Sequence, residues 1–310
     1  MNILVTGGAG FIGSNLADAL LSEGHRVTIL DNLSTGQRSN IPGEAEFLEL
    51  DIASPVIDKV FERGKFETVF HLAAQMDVRK SVENPANDAE INIIGGINLL
   101  QASVKHGVRK FIFSSTGGAI YGEQEEYPAP ETHAANPLSP YGISKLAFEK
   151  YLFFYNYQHG LHYVGLRYAN VYGPRQNSEG EAGVVAIFSK RLLKGEKAVI
   201  YGDGCQTRDF VFVDDIVRAN LMAIDFASSM TFNVGTGIET DINTIFDKIK
   251  TAARSTQPRI NLEPKLGEQK RSCITYGKIK KYLGWSPEVT LDKGIEKTVA
   301  FFRNQLAQGD

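Results

Sequence analysis

Residues 3–13 read Ile3-Leu4-Val5-Thr6-Gly7-Gly8-Ala9-Gly10-Phe11-Ile12-Gly13. A short apolar run ends at Thr6, glycines follow at the spacing G-x-x-G-x-x-G, and an amphipathic stretch continues through Asn15 to Ser22. The pattern predicts a strand, a tight turn and a helix opening near Phe11. Gly7 permits the turn, Gly10 lets backbone approach a pyrophosphate, and Gly13 lets the helix pack on the strand. Free N–H groups and the positive helix end then hold an anion without a lysine. The next strand-length run, Val27 to Leu30, is followed by Asp31, 18 residues after Gly13. A carboxylate there accepts hydrogen bonds from a ribose 2′-hydroxyl and repels a 2′-phosphate, so NAD is expected over NADP. Asp31 also suits a turn cap, since Asn32, Ser34 and Gly36 follow.

Beyond this unit the rhythm repeats. Phe47–Leu50, Val69–Leu72, Phe111–Phe113 and Tyr163–Leu166 are strand-length runs, with helical patterns such as Ile91–Lys105 between them. Gly24 and Gly107 stand where a helix would stop in a left-handed cap. Strand and helix in alternation mean a parallel sheet covered on both faces. After Val171, Pro174, Gly195 and Gly202 break the pattern; short strands (198–201, 209–213) mix with helices (216–226, 242–253). The expected fold is α/β: a Rossmann-type doubly wound parallel sheet over residues 1–171, with a smaller α/β substrate-binding lobe over 172–310. The boundary is soft enough for a later strand to return to the first lobe.

The chain of 310 residues carries 33 Lys+Arg against 36 Asp+Glu. A net charge of −3 argues against a nucleic-acid binder working through bulk charge, so an anionic ligand must be held by local groups. Two cysteines, Cys205 and Cys273, make neither a disulfide framework nor a four-ligand zinc site, so no metal is expected and a reducing, cytoplasmic setting fits. The uncharged stretch Ile91 to Val104 has 14 residues and is too polar and short to span a bilayer. No Lys or Arg precedes Arg26, so no signal peptide is expected.

Tyr141-Gly142-Ile143-Ser144-Lys145 puts a phenol and an ammonium at i and i+4, one turn apart on one helix face. Pro137 and Pro140 suit the start of that helix. A nearby ammonium and a nicotinamide cation are both expected to lower the phenol from its ordinary value near 10. A tyrosine so tuned can take a proton from a sugar hydroxyl. Ser114-Ser115-Thr116 ends the fifth strand, where ligands bind in open parallel sheets.

Taken together, these residues resemble the extended short-chain dehydrogenase/reductase family, and within it the nucleotide-sugar epimerases that act at carbon 4 of UDP-hexoses. The resemblance runs over the whole chain. It rests on Thr6 to Gly13, Asp31-Asn32-Leu33, Asp51-Ile52, His71 to Ala74, Ser114 to Thr116, Tyr141 to Lys145, Arg167 to Pro174, Arg208 to Val211 and Leu283-Gly284-Trp285. It implies Tyr141 as base, Lys145 as the residue that holds the nicotinamide ribose, and Thr116 as the catalytic hydroxyl. Ser115 is its rival, because the hydroxyl segment is one residue longer than in some relatives. Implied NAD contacts are Gly7, Gly10, Phe11, Ile12, Gly13, Asp31, Asn32, Ser34, Thr35, Gly36, Asp51, Ile52, Leu72, Ala73, Ala74, Gln75, Asn92 and Ala169, with Tyr141 and Lys145. Implied contacts of a UDP-sugar are Thr116, Asn170, Val199, Tyr201, Arg208 and Arg271, the last following Gly267-Glu268.

Two departures bear on this. Met76 stands where many 4-epimerases carry a lysine, and Ser272 falls at or next to a gatekeeper position where a tyrosine would exclude an N-acetyl group. The implied activity is NAD-dependent epimerisation through a transient 4-keto sugar, with N-acetyl forms tolerated, in a homodimer formed through the stretches 89–105 and 141–157. A uronate 4-epimerase or a 4-ketoreductase shares the machinery. A 4,6-dehydratase would need an acidic pair where Gly117-Gly118 stand. A non-catalytic dinucleotide-sensing protein is the alternative of another class, and the presence of both Tyr141 and Lys145 counts against it.

Overall fold

A computed structural model describes residues 1–178, 183–264 and 269–308. The first half of the chain lays down β1 (Asn2–Thr6), β2 (Arg26–Asp31), β3 (Glu46–Glu49), β4 (Thr68–His71), β5 (Lys110–Thr116) and β6 (His162–Tyr168). They are joined through α1 (Phe11–Ser22), α2 (Ile57–Gly64), α3 (Val78–Glu83), α4 (Pro85–Ala89), α5 (Gly96–Lys105), α6 (Gly117–Ile120) and α7 (Pro140–His159). The second half adds β7 (Asn170–Tyr172), β8 (Ala198–Tyr201), β9 (Thr207–Phe212), β10 (Met230–Val234), β11 (Glu239–Asp241), β12 (Arg259–Leu262) and β13 (Arg271–Ser272). Its helices are α8 (Val184–Leu193), α9 (Val213–Ile224), α10 (Ile242–Ala253), α11 (Gly277–Leu283) and α12 (Leu291–Ala307).

The central sheet is parallel throughout, in the order β10-β6-β5-β4-β1-β2-β3. Its strand order reverses between β1 and β4, the switch point beyond whose carboxyl ends ligands bind in such sheets. Period-two alternation sorts the side chains into two layers. Ile3 and Val5 of β1 pack with Leu16 and Leu20 of α1 and Ile216 of α9. Leu4 packs on the other face with Phe61 of α2, Leu99 of α5 and Phe148 of α7. Both faces are dry, which is why the strand runs read as continuously apolar.

The second half does not stay apart from this sheet. β10 pairs with β6, Met230 opposite Val164 and Val234 opposite Tyr168, and α9 lies on α1's side. The rest builds two small sheets: β9 flanked by parallel β7 and β13 and antiparallel β11, and the pair β8–β12. The helix expected over 91–105 begins as a π-helical turn, Glu90–Gly95, before α5. Such widened turns cluster at functional sites, and this one carries Asn92. α7 starts where Ser139 Oγ accepts from Gly142 N at 3.2 Å with Pro140 in the first turn, and it stops at Gly160 in the left-handed region. Among the described residues no helix is long and apolar enough to cross a membrane.

Candidate active site

The glycine turn is shaped by close approach. Gly7 has φ +70° and donates to Leu30 O at 2.8 Å. A Cβ on it would fall 2.6 Å from Ala73 N, and one on Gly13 would fall 2.2 Å from Gly7 O. The turn is thus pressed against the residues after β4, and α1 closes onto it. α1 opens with no side-chain cap and no acidic residue in its first turn, so no side chain competes with an anion for the N–H groups of that turn. Nearly buried Asp31 accepts from Ala9 N at 3.0 Å and from Leu33 N at 2.8 Å. A carboxylate has about four acceptor directions, so two remain for a ribose. Gly36 closes over it; a Cβ there would fall 2.9 Å from Asp31 Oδ1. Asn32 donates to Asp51 Oδ2 at 2.7 Å and its carbonyl accepts from Ser34 N, which brings Asn32, Ser34 and Asp51 into one cluster beside buried Ile52. Thr35 stands exposed at its rim. An uncapped helix start, a glycine turn and a carboxylate with spare acceptor capacity fit a dinucleotide such as NAD.

Beyond β4, Leu72, Ala73 and Ala74 run along the same edge, and Leu72 N donates to Thr6 O at 3.1 Å. His71, inside the sheet, meets Thr6 Oγ1 at 2.8 Å; burial pushes its imidazole down to about 3, helped by the Lys145 ammonium, so it stays neutral. Asn92 locks the segment: its Oδ1 accepts from Gln75 N and its Nδ2 donates to Gln75 O, both at 2.9 Å. Met76 is exposed. Sequence reasoning missed Asp88, the fully buried carboxylate under this segment, which accepts from Gln75, Asn92 and Ser144. Its position two residues before a helix boundary carried no signal.

Lys145 donates to Ser114 O at 2.8 Å and lies 4.7 Å over the Phe113 ring and 5.8 Å from the Tyr141 ring centre. Burial brings its ammonium down to about 8, while Asp88 and Glu149 pull it up. The Tyr141 phenol departs from expectation. Burial pushes it above its ordinary value and Asp88 pushes the same way. Within the protein alone, burial and the Asp88 charge together set the phenol above its ordinary value.

Ser115 and Thr116 point to opposite faces of β5, as neighbours on a strand must. The Ser115 hydroxyl donates to Glu149 Oε1 at 2.6 Å, inside a buried network in which Arg167 grips Glu149 with Nε and Nη2 at 2.9 and 2.6 Å. Thr116 caps no helix N–H and is half-buried. A Cβ built on Gly118 would sit 3.9 Å from Thr116 Oγ1 and 3.8 Å from Asn170 Oδ1, so those two polar groups flank one space. The start of α7 rests on α6: a Cβ on Gly142 would fall 2.6 Å from Ala119 O. Ala169 N donates to Val234 O and holds the neighbouring edge.

Asn170 and Arg208 line one cavity of about 180 Å³ with Gln176, Val184 and Phe210. Arg208 donates to Thr207 O at 2.8 Å and lies in register with Ser272, which is nearly buried. Arg271, next along β13, grips Glu239 with Nε and Nη2 at 2.9 and 2.5 Å and covers the Tyr127 ring at 3.8 Å. Val199 and Tyr201 stand on β8, opposite Ile260 and Leu262, and do not line that cavity. Gly267 and Glu268 lie outside the described residues. A larger polar hollow of about 480 Å³, between the 37–40 turn and α12, contains none of the sequence-predicted site residues. Among the described residues no group of three or more His, Cys, Asp or Glu side chains is gathered to hold a metal.

The sequence profile of the NAD dependent epimerase/dehydratase family matches residues 3–235. The UDP-glucose 4-epimerase of Mycolicibacterium smegmatis is 44% identical over 98% of this chain and 99% of that protein. The crystal structure of Thermotoga maritima UDP-glucose 4-epimerase with UDP-glucose superposes with a TM-score of 0.97 at 50% identity, covering 99% of this chain and 100% of that one. The Thermus thermophilus UDP-glucose 4-epimerase in complex with NAD gives 0.93 at 43% identity, covering 98% and 99%.

Proposed function

Because the chain belongs to the NAD-dependent epimerase/dehydratase family, we propose that it is an NAD-dependent isomerase interconverting UDP-glucose and UDP-galactose at carbon 4. The observation that carries this reading is likeness over 99% of the chain to a UDP-glucose 4-epimerase, in a chain with Tyr141 and Lys145 on α7, Thr116 at the carboxyl end of β5 and the glycine turn after β1 of the same parallel sheet.

Bound NAD supplies reversible hydride acceptance at carbon 4, making the sugar transiently a 4-keto sugar, and a positive charge that favours the phenolate. The chain supplies the rest. Tyr141 takes the proton of the 4-hydroxyl, and the Thr116 hydroxyl shares it between sugar oxygen and phenol. Lys145, anchored on Ser114 O, holds the ribose and sets a cation under the phenol. Asn170 and Arg208 hold the diphosphate from the cavity they share, through charge-assisted bonds, so that the sugar ring is free to turn. Arg271 joins them by exchanging Glu239 for phosphate. Val199 and Tyr201 border the uracil. Gly117-Gly118 place no acid after Thr116, which favours epimerisation over dehydration.

The lobe that takes the nucleotide sugar is the part of 172–310 outside α9 and β10. Two protomers associate through residues 89–105 and 141–157, where Ile94 of the π-helical turn and Phe153, Phe154 and Tyr157 of α7 stand exposed. The two free cysteines and the absence of a membrane-crossing helix among the described residues accord with a cytoplasmic enzyme of carbohydrate metabolism.

Incubation of the purified protein with UDP-galactose should yield UDP-glucose by chromatography with no lasting change at 340 nm. A stoichiometric absorbance change would mean a ketoreductase. Tyr141→Phe should cost about 100- to 10,000-fold in kcat; undiminished turnover would remove Tyr141 from the mechanism.

A further inference from the structure

The Asp88 carboxylate is where three segments meet. Oδ1 accepts from Gln75 Nε2 at 2.9 Å and from Asn92 Nδ2 at 3.1 Å; Oδ2 accepts from Ser144 Oγ at 2.6 Å. The amides cannot be turned round. Gln75 Oε1 accepts from Asp77 N at 2.7 Å, and Asn92 Oδ1 accepts from Gln75 N at 2.9 Å. Both must present N–H groups to Asp88, so its Oδ1 is an acceptor only. Gln75 belongs to the segment read above as facing the dinucleotide. Ser144 stands between Tyr141 and Lys145 on α7. We infer that Asp88 is a positioning residue of the epimerisation, tying the turn of α7 that bears Tyr141 and Lys145 to the 75–77 segment and keeping a negative charge behind that pair. The inference rests on Tyr141 being the base.

The surroundings give this charge few rivals. Glu149, one turn beyond Lys145, is neutralised by Arg167 of β6, and His71 of β4 is held neutral. On the other elements packed against α7, Arg79, Lys80 and Glu83 of α3, Glu90 of the π-helical turn and Lys105 of α5 are all exposed to water, which screens them. No ion pair among the described residues reaches Asp88, and burying an unpaired carboxylate is costly. Its field falls on the two reacting side chains, raising both Tyr141 and Lys145.

Asp88→Asn keeps the size and removes the charge. Without that charge the phenol ionises more readily and the ammonium loses support. Both limbs of the kcat–pH profile should therefore move to lower pH, by roughly half a unit or more. On cofactor-stripped protein, calorimetry should show NAD bound several-fold more weakly, because the 75–77 segment is loosened. Ser144→Ala keeps the charge and cuts the tie to α7, so kcat should fall roughly tenfold with both limbs in place. Unmoved limbs together with an unchanged NAD Kd in Asp88→Asn, or wild-type kcat in Ser144→Ala, would overturn the inference. Should Asp88→Asn not fold, Ser144→Ala decides alone. A fully active Tyr141→Phe enzyme would overturn the reading of the base instead, so the two failures are distinguishable.

Discussion

The Ser115 hydroxyl donates to Glu149 Oε1 at 2.6 Å, and this bond divides the labour within the hydroxyl segment. Ser115 is spent on the ion pair beneath the sheet, while its neighbour Thr116 faces the space beside Asn170. Thr116→Ala should therefore lower kcat by roughly a hundredfold with little change in thermal midpoint. Ser115→Ala should do the reverse, losing about 1–3 kcal/mol of stability and keeping most of the turnover. Kinetics and melting curves on the two variants check this; the opposite pattern would make Ser115 the reacting hydroxyl.

Glu149 and Arg167 are both nearly buried, and Arg167 also donates to Tyr121 OH at 2.8 Å. Glu149→Leu strands a guanidinium in the interior and should cost about 3–5 kcal/mol. Adding Arg167→Met should recover much of that loss, because no charge is then left unpaired. Urea unfolding of the single and double variants measures it.

His71 links stability to acid. Its imidazole sits near 3 in the folded chain against 6.5 ordinarily. Between those values the unfolded chain binds a proton that the folded chain refuses, so stability falls as pH drops below about 6.5. The slope approaches about 1.4 kcal/mol per pH unit. Asp209 opposes this: burial holds it up to about 6, so over the range from 6 to about 4 the folded chain binds the extra proton. The difference between the wild type and His71→Gln in urea midpoints, taken from pH 7 to pH 5, isolates the histidine. A difference that does not grow toward pH 5 would contradict the assignment.

Ser272 is small, buried and in register with Arg208, the residue proposed above to hold the diphosphate, and on that proposal a serine here leaves room for an N-acetyl group where a tyrosine would not. UDP-N-acetylgalactosamine should be turned over with a kcat/KM within about tenfold of that for UDP-galactose. Ser272→Tyr should remove the N-acetyl activity preferentially. A wild-type enzyme inert toward the N-acetyl sugar would show that some other side chain closes the pocket.

The glycine turn and Asp31 were legible in the sequence because each depends on neighbours a few residues away: φ at Gly7, closure of α1 at Gly13, a carboxylate at a strand end. Tyr141 and Lys145 were legible because a helix puts i and i+4 on one face whatever surrounds it. The choice between Ser115 and Thr116 was only half legible. Alternation says that they point apart, but not which face receives Glu149 and Arg167. The ammonium next to Tyr141 was legible, but not the surroundings that act against it. In the protein alone burial and then Asp88 push the phenol up, and the nicotinamide charge is the part of the expected lowering that the cofactor would bring.

By itself, then, the sequence determined the alternation of strand and helix, the glycine turn and the placing of Tyr141 and Lys145 on one helix face, all properties of short stretches of backbone. Only the tertiary structure decided that β10 returns to pair with β6, that a π-helical turn aims Asn92 at Gln75, and that Asp88 gathers Gln75, Asn92 and Ser144. Those outcomes depend on which groups, distant along the chain, are driven together when both faces of the sheet are buried. A buried polar group must then find its partners wherever the packing has put them.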